Sequence, residues 1–208
     1  MEKNTYSGKF IVFEGLDGSG QSTQVRLLGE FLENKGYSVL KTKEPTIDSE
    51  AGKKIRRVLE EKEKISPKEL QGLFAEDRKE HLKNLIIPAL KDNKIVISDR
   101  YFFTSFSYSR TLNLPYQWLK EINNEFLLPD LVFFLDVKAE TCLERIKNRG
   151  EGEELFEKKE FLEQSYQNFK KTFEEFRNQC KIYFIDGEKS IEKVFTEVKE
   201  NTEKQLKI

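Results

Sequence analysis

The sequence predicts an α/β fold, one domain spanning residues 1–208, in which a five-stranded parallel sheet is flanked by helices on both faces. Three observations predict it. Short apolar runs alternate with longer stretches of helical spacing from end to end. Within each run the apolar residues are consecutive rather than alternating, as in strands buried on both faces. The first run passes into a helix through a glycine-rich turn.

The first strand is Phe10-Ile11-Val12-Phe13, and Val25, Leu28, Phe31 and Leu32 then form a 3.6-residue stripe that Gly36 ends. Val39-Leu40 reads as the second strand, followed after Ser49 by a helix carrying Ile55, Val58 and Leu59. The longest helix begins at Ser66-Pro67-Lys68-Glu69, a capping box with proline at the first helical position, and places Leu70, Leu73, Phe74, Leu82 and Leu85 on one side. Ile95-Val96-Ile97 is the third strand and Leu131 to Leu135 the fourth. Trp118 with Ile122, Cys142 with Ile146, and the run Phe161, Leu162, Phe169, Phe173 and Phe176 mark helices. The fifth strand is Ile182 to Ile185, and a last helix follows Ser190 with Ile191, Val194, Phe195 and Val198.

Composition excludes several functions. The 36 Lys and Arg nearly cancel 37 Asp and Glu, so a net charge of −1 offers no field to gather a nucleic acid. Two cysteines, Cys142 and Cys180, and the single His81 provide neither a disulfide framework nor a zinc site. No apolar run approaches the roughly 18 residues that cross a bilayer, so a cytoplasmic protein with no membrane partner is expected.

Ligands of such folds sit at the carboxyl ends of the strands. After the first strand comes Gly15-Leu16-Asp17-Gly18-Ser19-Gly20-Gln21-Ser22-Thr23, which matches the Walker A pattern of P-loop NTPases at every fixed position except the lysine, replaced by Gln21. The glycines let backbone N–H groups turn inward around phosphate oxygens, and the next helix points its positive end at them. Ser22 is placed to ligate Mg²⁺. After the third strand, Ser98-Asp99-Arg100-Tyr101 offers a carboxylate that can hold Mg²⁺ through water and a guanidinium fork suited to phosphate. Phe74 and Arg78, four residues apart, share one helix face.

Together these residues resemble the thymidylate kinases over nearly the whole chain. The resemblance rests on "FEGLDGSGQSTQ" at 13–24, "EP" at Glu44-Pro45, "LFAEDR" at 73–78, "DRY" at 99–101 with Tyr108, "LPDLVFFLDV" at 128–137, and "IDG" at 185–187. It implies transfer of the γ-phosphoryl group of ATP to dTMP, with Mg²⁺, by a homodimer. It implies that residues 15–23 cradle the triphosphate and that Asp17 accepts from the deoxyribose 3′-OH. Phe74 would stack on thymine, Arg78 bond its exocyclic oxygen, and Tyr108 leave no space for a 2′-OH. Arg100 would bind the acceptor phosphate, Asp99 would organise Mg²⁺ with Ser22, and Pro45, Arg56 and Ser105 would line the acceptor pocket.

The resemblance also implies a mobile lid at about 149–157, where the family's acid–arginine pair reads Glu154-Leu155 here. Gly150 to Glu160 carries five Glu against Lys158 and Lys159, a local charge of −3. Two cations of the pattern are therefore absent, at Gln21 and in the lid. One charge pair at 4 Å and a dielectric near 20 is worth about 4 kcal/mol, about a thousandfold in rate. Arg145 and Arg149, on the helix entering the lid, are the expected substitutes. Two alternatives remain open: a nucleotide-binding homologue without catalysis, and a kinase for another monophosphate such as dUMP.

Overall fold

The computed structural model describes residues 1–149 and 155–207. Its main sheet has the order β3-β4-β2-β6-β7, with every neighbouring pair parallel. The strands are β2 (Lys9–Glu14), β3 (Val39–Lys43), β4 (Ile95–Asp99), β6 (Leu131–Asp136) and β7 (Lys181–Asp186). All five predicted strands are present. A separate parallel pair, β1 (Glu2–Lys3) with β5 (Leu127–Leu128), was not predicted, because two residues carry no periodicity.

The consecutive apolar run of β2 serves two cores, since successive side chains point to opposite faces. Ile11 and Phe13 join Ile97, Phe133, Leu135 and Ile185 under α1 (Gln21–Asn34) and α9 (Ile191–Leu206). Phe10 and Val12 join Val96, Val132 and Phe134 in the larger core on the other face. There α5 (Phe102–Thr111) lays Phe103 and Phe106 against Phe173 and Phe176 of α8 (Lys159–Phe176), with ring centroids 5.3–5.4 Å apart. Each such ring contributes roughly 1.5–3 kcal/mol by leaving water. Cys142 and Cys180 are buried free thiols, and burial pushes both up to about 12.

Two expectations are corrected. The edge strand β7 is not buried on both faces: Ile185 is its one buried apolar residue and Phe184 is 47% exposed. An edge strand has one sheet neighbour, and helix α9 covers only one of its faces. Leu85 also leaves the predicted apolar stripe and is 41% exposed. The helix from α3 (Pro67–His81) continues through a π turn, Leu82–Ile86, into α4 (Ile87–Lys91), with the Ile87 N–H donating to Leu82 O. Pro88 lacks an N–H and its ring crowds the carbonyl four residues back, so the wider turn ahead of it relieves the clash and rotates the intervening side chains. The predicted start is present, with Ser66 Oγ accepting from Glu69 N at 3.1 Å.

Candidate active site

The turn between β2 and α1 is built by two glycines in the left-handed region, Gly18 (φ 82°) and Gly20 (φ 99°). A Cβ on Gly18 would lie 2.6 Å from Cys142 O, so the turn sits against the helix α7 (Ala139–Arg149) as well as bending backward. Residues 17–23 line one cavity, together with Arg145, Arg149, Lys43 and Asp99. Leu16 enters the turn through its backbone, while its side chain is 1% exposed and belongs to the core. Gly15 also stands behind the cavity, its carbonyl accepting from Arg100 Nη1 at 3.1 Å. Arg145 spans the cavity wall by donating to Ser19 O (3.3 Å) and Gly187 O (2.9 Å).

In this cavity Ser22 Oγ donates to Asp99 Oδ2 at 2.5 Å. Two hard oxygens converging beside a phosphate cradle suit Mg²⁺, which keeps several waters and takes few protein ligands. Gln21 is buried; its Oε1 accepts from Ser19 Oγ and from Arg100 Nη2, both at 3.3 Å. Its Nε2 is a buried donor with no acceptor among the described residues. A phosphate oxygen is the kind of group that would satisfy it.

Arg100 adopts φ 74°, a region costly for a side chain of this size, and a dense set of bonds holds it there. Its N–H donates to Phe13 O (2.9 Å), and its guanidinium reaches Gly15 O, Thr104 Oγ1 (3.1 Å) and Asp17 Oδ1 (2.7 Å). Burial disfavours its charge, but Asp17 foremost, then Tyr108, Asp99 and Glu14, hold it protonated above the usual arginine value. Glu14, fully buried, accepts from Tyr101 N (3.0 Å), Thr104 N (3.3 Å) and Thr104 Oγ1 (2.6 Å). Desolvation raises its carboxyl to about 7 against these bonds and Arg100.

A second cavity adjoins the first. It is lined by Phe74, Arg78, Pro45, Arg56, Ser105 and Tyr108, so the structure brings together the residues that the sequence assigned to an acceptor pocket. Arg78 is 2% exposed, donating to Glu44 Oε2 (2.7 Å), Asn123 Oδ1 (2.9 Å) and Ser105 Oγ (3.2 Å), with the rings of Tyr101 and Phe126 over its guanidinium. Tyr108 OH donates to Asp17 Oδ2 at 2.7 Å, which fixes Asp17 between a phenol and Arg100. His81 packs behind the pocket against Glu44 Oε1 (3.2 Å) and Thr42 Oγ1 (2.7 Å).

A family model described as Thymidylate kinase matches residues 13–198. The chain belongs to the thymidylate kinase family. It is 42% identical over 199 residues to a probable thymidylate kinase of Pyrococcus horikoshii, covering 92% of this chain and 94% of the relative. It is 36% identical over 202 residues to the thymidylate kinase of Brachyspira hyodysenteriae, covering 97% and 96% of the two chains.

Residues 150–154 of the expected lid, including Glu154, lie outside the described residues. Its described flanks wall the second cavity. Arg149 donates to the buried Glu157 at 2.7 Å, and Phe156 stacks on Phe161 and meets the Tyr108 ring in a T-shaped contact. Lys158 and Lys159 pair outward with Glu61 and Glu163. Sequence reasoning did not single out Lys43, Glu44, Gln71, Thr104 or Phe156 as lining residues. Glu44 stood in the quoted "EP" and Thr104 followed "DRY", so those two were within reach; Gln71 and Phe156 carry no local mark. Among the described residues, no helix is long and apolar enough to cross a membrane.

Proposed function

We propose that this thymidylate kinase transfers the γ-phosphoryl group of ATP to dTMP, giving ADP and dTDP for nucleotide biosynthesis. The observation that carries the reading is the meeting of a phosphate-cradling cavity and an aromatic, arginine-lined cavity at four shared residues, Asp17, Lys43, Arg100 and Arg149. Acceptor and donor phosphates seated in the two cavities face each other at that junction. An oxygen of the dTMP phosphate attacks the γ-phosphorus as the bond to the β-bridging oxygen breaks. Such transfer demands positioning and charge neutralisation rather than covalent work by side chains.

In this reading the backbone of residues 17–23 and the α1 N-terminus hold the triphosphate, with Gln21 Nε2 donating to one of its oxygens. Ser22 and Asp99 would hold Mg²⁺, which supplies charge neutralisation at the phosphates when bound. Arg100 aligns the acceptor phosphate. Asp17 accepts from the deoxyribose 3′-OH, and Tyr108 closes the space a 2′-OH would need. Phe74 stacks on thymine, Arg78 donates to its exocyclic oxygen, Ser105 supports Arg78, and Pro45 and Arg56 line the acceptor phosphate side. Arg145 braces the cradle and Arg149 approaches the phosphates from the lid, residues 149–157, as it closes. A cytoplasmic homodimer is part of the same proposal and is checked by sedimentation.

The family does not favour a silent binder or a kinase for another monophosphate. The assay is ADP release from ATP with Mg²⁺ and, in turn, dTMP, dUMP, CMP, UMP, GMP and AMP. The expected result is highest kcat/KM with dTMP; turnover with none, or preference for a ribonucleotide, contradicts the reading.

A further inference from the structure

We propose that Lys43 supplies the positive charge that glutamine at position 21 cannot, placing its ammonium on the transferring phosphoryl group. The inference rests on the dTMP kinase reading and adds a catalytic residue to it. Of the four residues shared by the two cavities, Asp17 is acidic and three carry positive charge. Arg100 is fastened to Gly15, Asp17, Gln21 and Thr104. Arg149 is engaged with the buried carboxylate of Glu157 at 2.7 Å. Lys43 is differently placed. Its side chain is 53% exposed, and its partner among the described residues is Asp99, whose Oδ2 lies 3.5 Å from Nζ. That is longer than the roughly 2.7–2.9 Å of a tight ammonium–carboxylate hydrogen bond.

The root of the side chain is nonetheless fixed. Lys43 ends β3 and is in register with Asp99 at the end of β4, beside the first turn of α1. Ser22 Oγ and Lys43 Nζ approach the same carboxylate oxygen, so the ammonium already stands next to the hydroxyl at the mouth of the phosphate cradle. A four-carbon stem with three rotatable donors can swing from that carboxylate to phosphate oxygens arriving at the junction without moving the backbone. A phosphate-bound ammonium from strand β3 would thus occupy the role that a lysine of the turn itself would otherwise fill.

The test is a cycle of kcat and dTMP KM for wild type, Lys43→Met, Gln21→Lys and the double variant, with Lys43→Arg and Lys43→Gln alongside. Lys43→Met and Lys43→Gln are expected to lower kcat by at least about thirtyfold while KM changes by less than about threefold, as for an interaction made in the transition state. Lys43→Arg should retain at least about a third of kcat. In the Gln21→Lys background, Lys43→Met should cost at least about tenfold less than in wild type. Thermal midpoints should change little, because the Lys43 ammonium is half exposed and 3.5 Å from its partner, and the buried Asp99 carboxylate keeps its bond from Ser22 Oγ. Wild-type kcat in Lys43→Met, or an equal loss in both backgrounds, overturns the inference and leaves the kinase reading intact. A wild-type chain that turns over no monophosphate overturns both.

Discussion

Desolvation raises the Glu14 carboxyl from 4.5 to about 7 against the bonds from Tyr101 N, Thr104 N and Thr104 Oγ1, so between those pH values it takes up a proton on folding. Between those values the folded chain binds more protons than the unfolded chain, so this group's contribution to stability is full below pH 4.5 and falls as pH rises through about 7. Its loss is on the order of 3 kcal/mol. Urea unfolding of wild type and Glu14→Gln from pH 4.5 to 7.5 should show that decline in wild type and not in the variant; parallel curves would contradict it. Arg78 poses the opposite case, a buried cation whose fork is matched to Glu44, Asn123 and Ser105. Arg78→Met leaves Glu44 buried with His81 as its side-chain hydrogen-bond partner among the described residues, and should destabilise by about 3–5 kcal/mol as well as raise the dTMP KM. Arg78→Lys keeps the charge but not the planar fork, and is expected to lose most of the same binding. Equal KM in both variants and wild type, by steady-state kinetics, would remove Arg78 from base recognition.

At the scale of elements, the strand ends and helix starts decide where these side chains stand. The N-cap of α5, Tyr101, has no side-chain capping bond of its own; the Glu14 carboxylate reaches across from β2 to serve it and so ties the Arg100 turn to the phosphate cradle. The α3 start uses a local device instead, Ser66 with Pro67 and Glu69. Ser66→Ala should cost about 1 kcal/mol in urea unfolding; no change would show that packing alone sets this end. Local devices of this kind were legible. The Ser66 cap, the glycine turn and the apolar runs each declare themselves within a few residues. Helix α5 did not, because Phe102, Phe103, Ser105, Phe106, Ser107, Tyr108 and Ser109 are all buried, which leaves no polar face to set a stripe. The π turn was hidden as well, since it answers a clash between Pro88 and the preceding turn rather than any pattern of side chains. Leu85 was misplaced for that reason.

For the whole molecule, the sheet order places the ends of β3 and β4 beside the turn after β2, and this assembles the site from segments far apart in sequence. Residues within a motif, such as Asp17, Ser22, Phe74, Arg78, Asp99 and Arg100, could be read from the chain alone. Lys43 could not, because its value comes only from register with Asp99 across two strands. The larger core supports this arrangement through the aromatic contact of α5 with α8, where Phe173 is 1% exposed and meets both Phe103 and Phe134. Phe173→Ala should lower stability by about 3–5 kcal/mol by transfer and cavity costs, measured by denaturant unfolding.

The central claim is that two substrates face each other across the junction of Asp17, Lys43, Arg100 and Arg149, and a crystal structure with dTMP and an unhydrolysable ATP analogue tests it most directly. The account predicts a triphosphate against residues 17–23 and a thymine ring on Phe74 with its exocyclic oxygen at Arg78. A triphosphate seated away from that turn, or a thymidine monophosphate outside the pocket of Phe74 and Arg78, would contradict it.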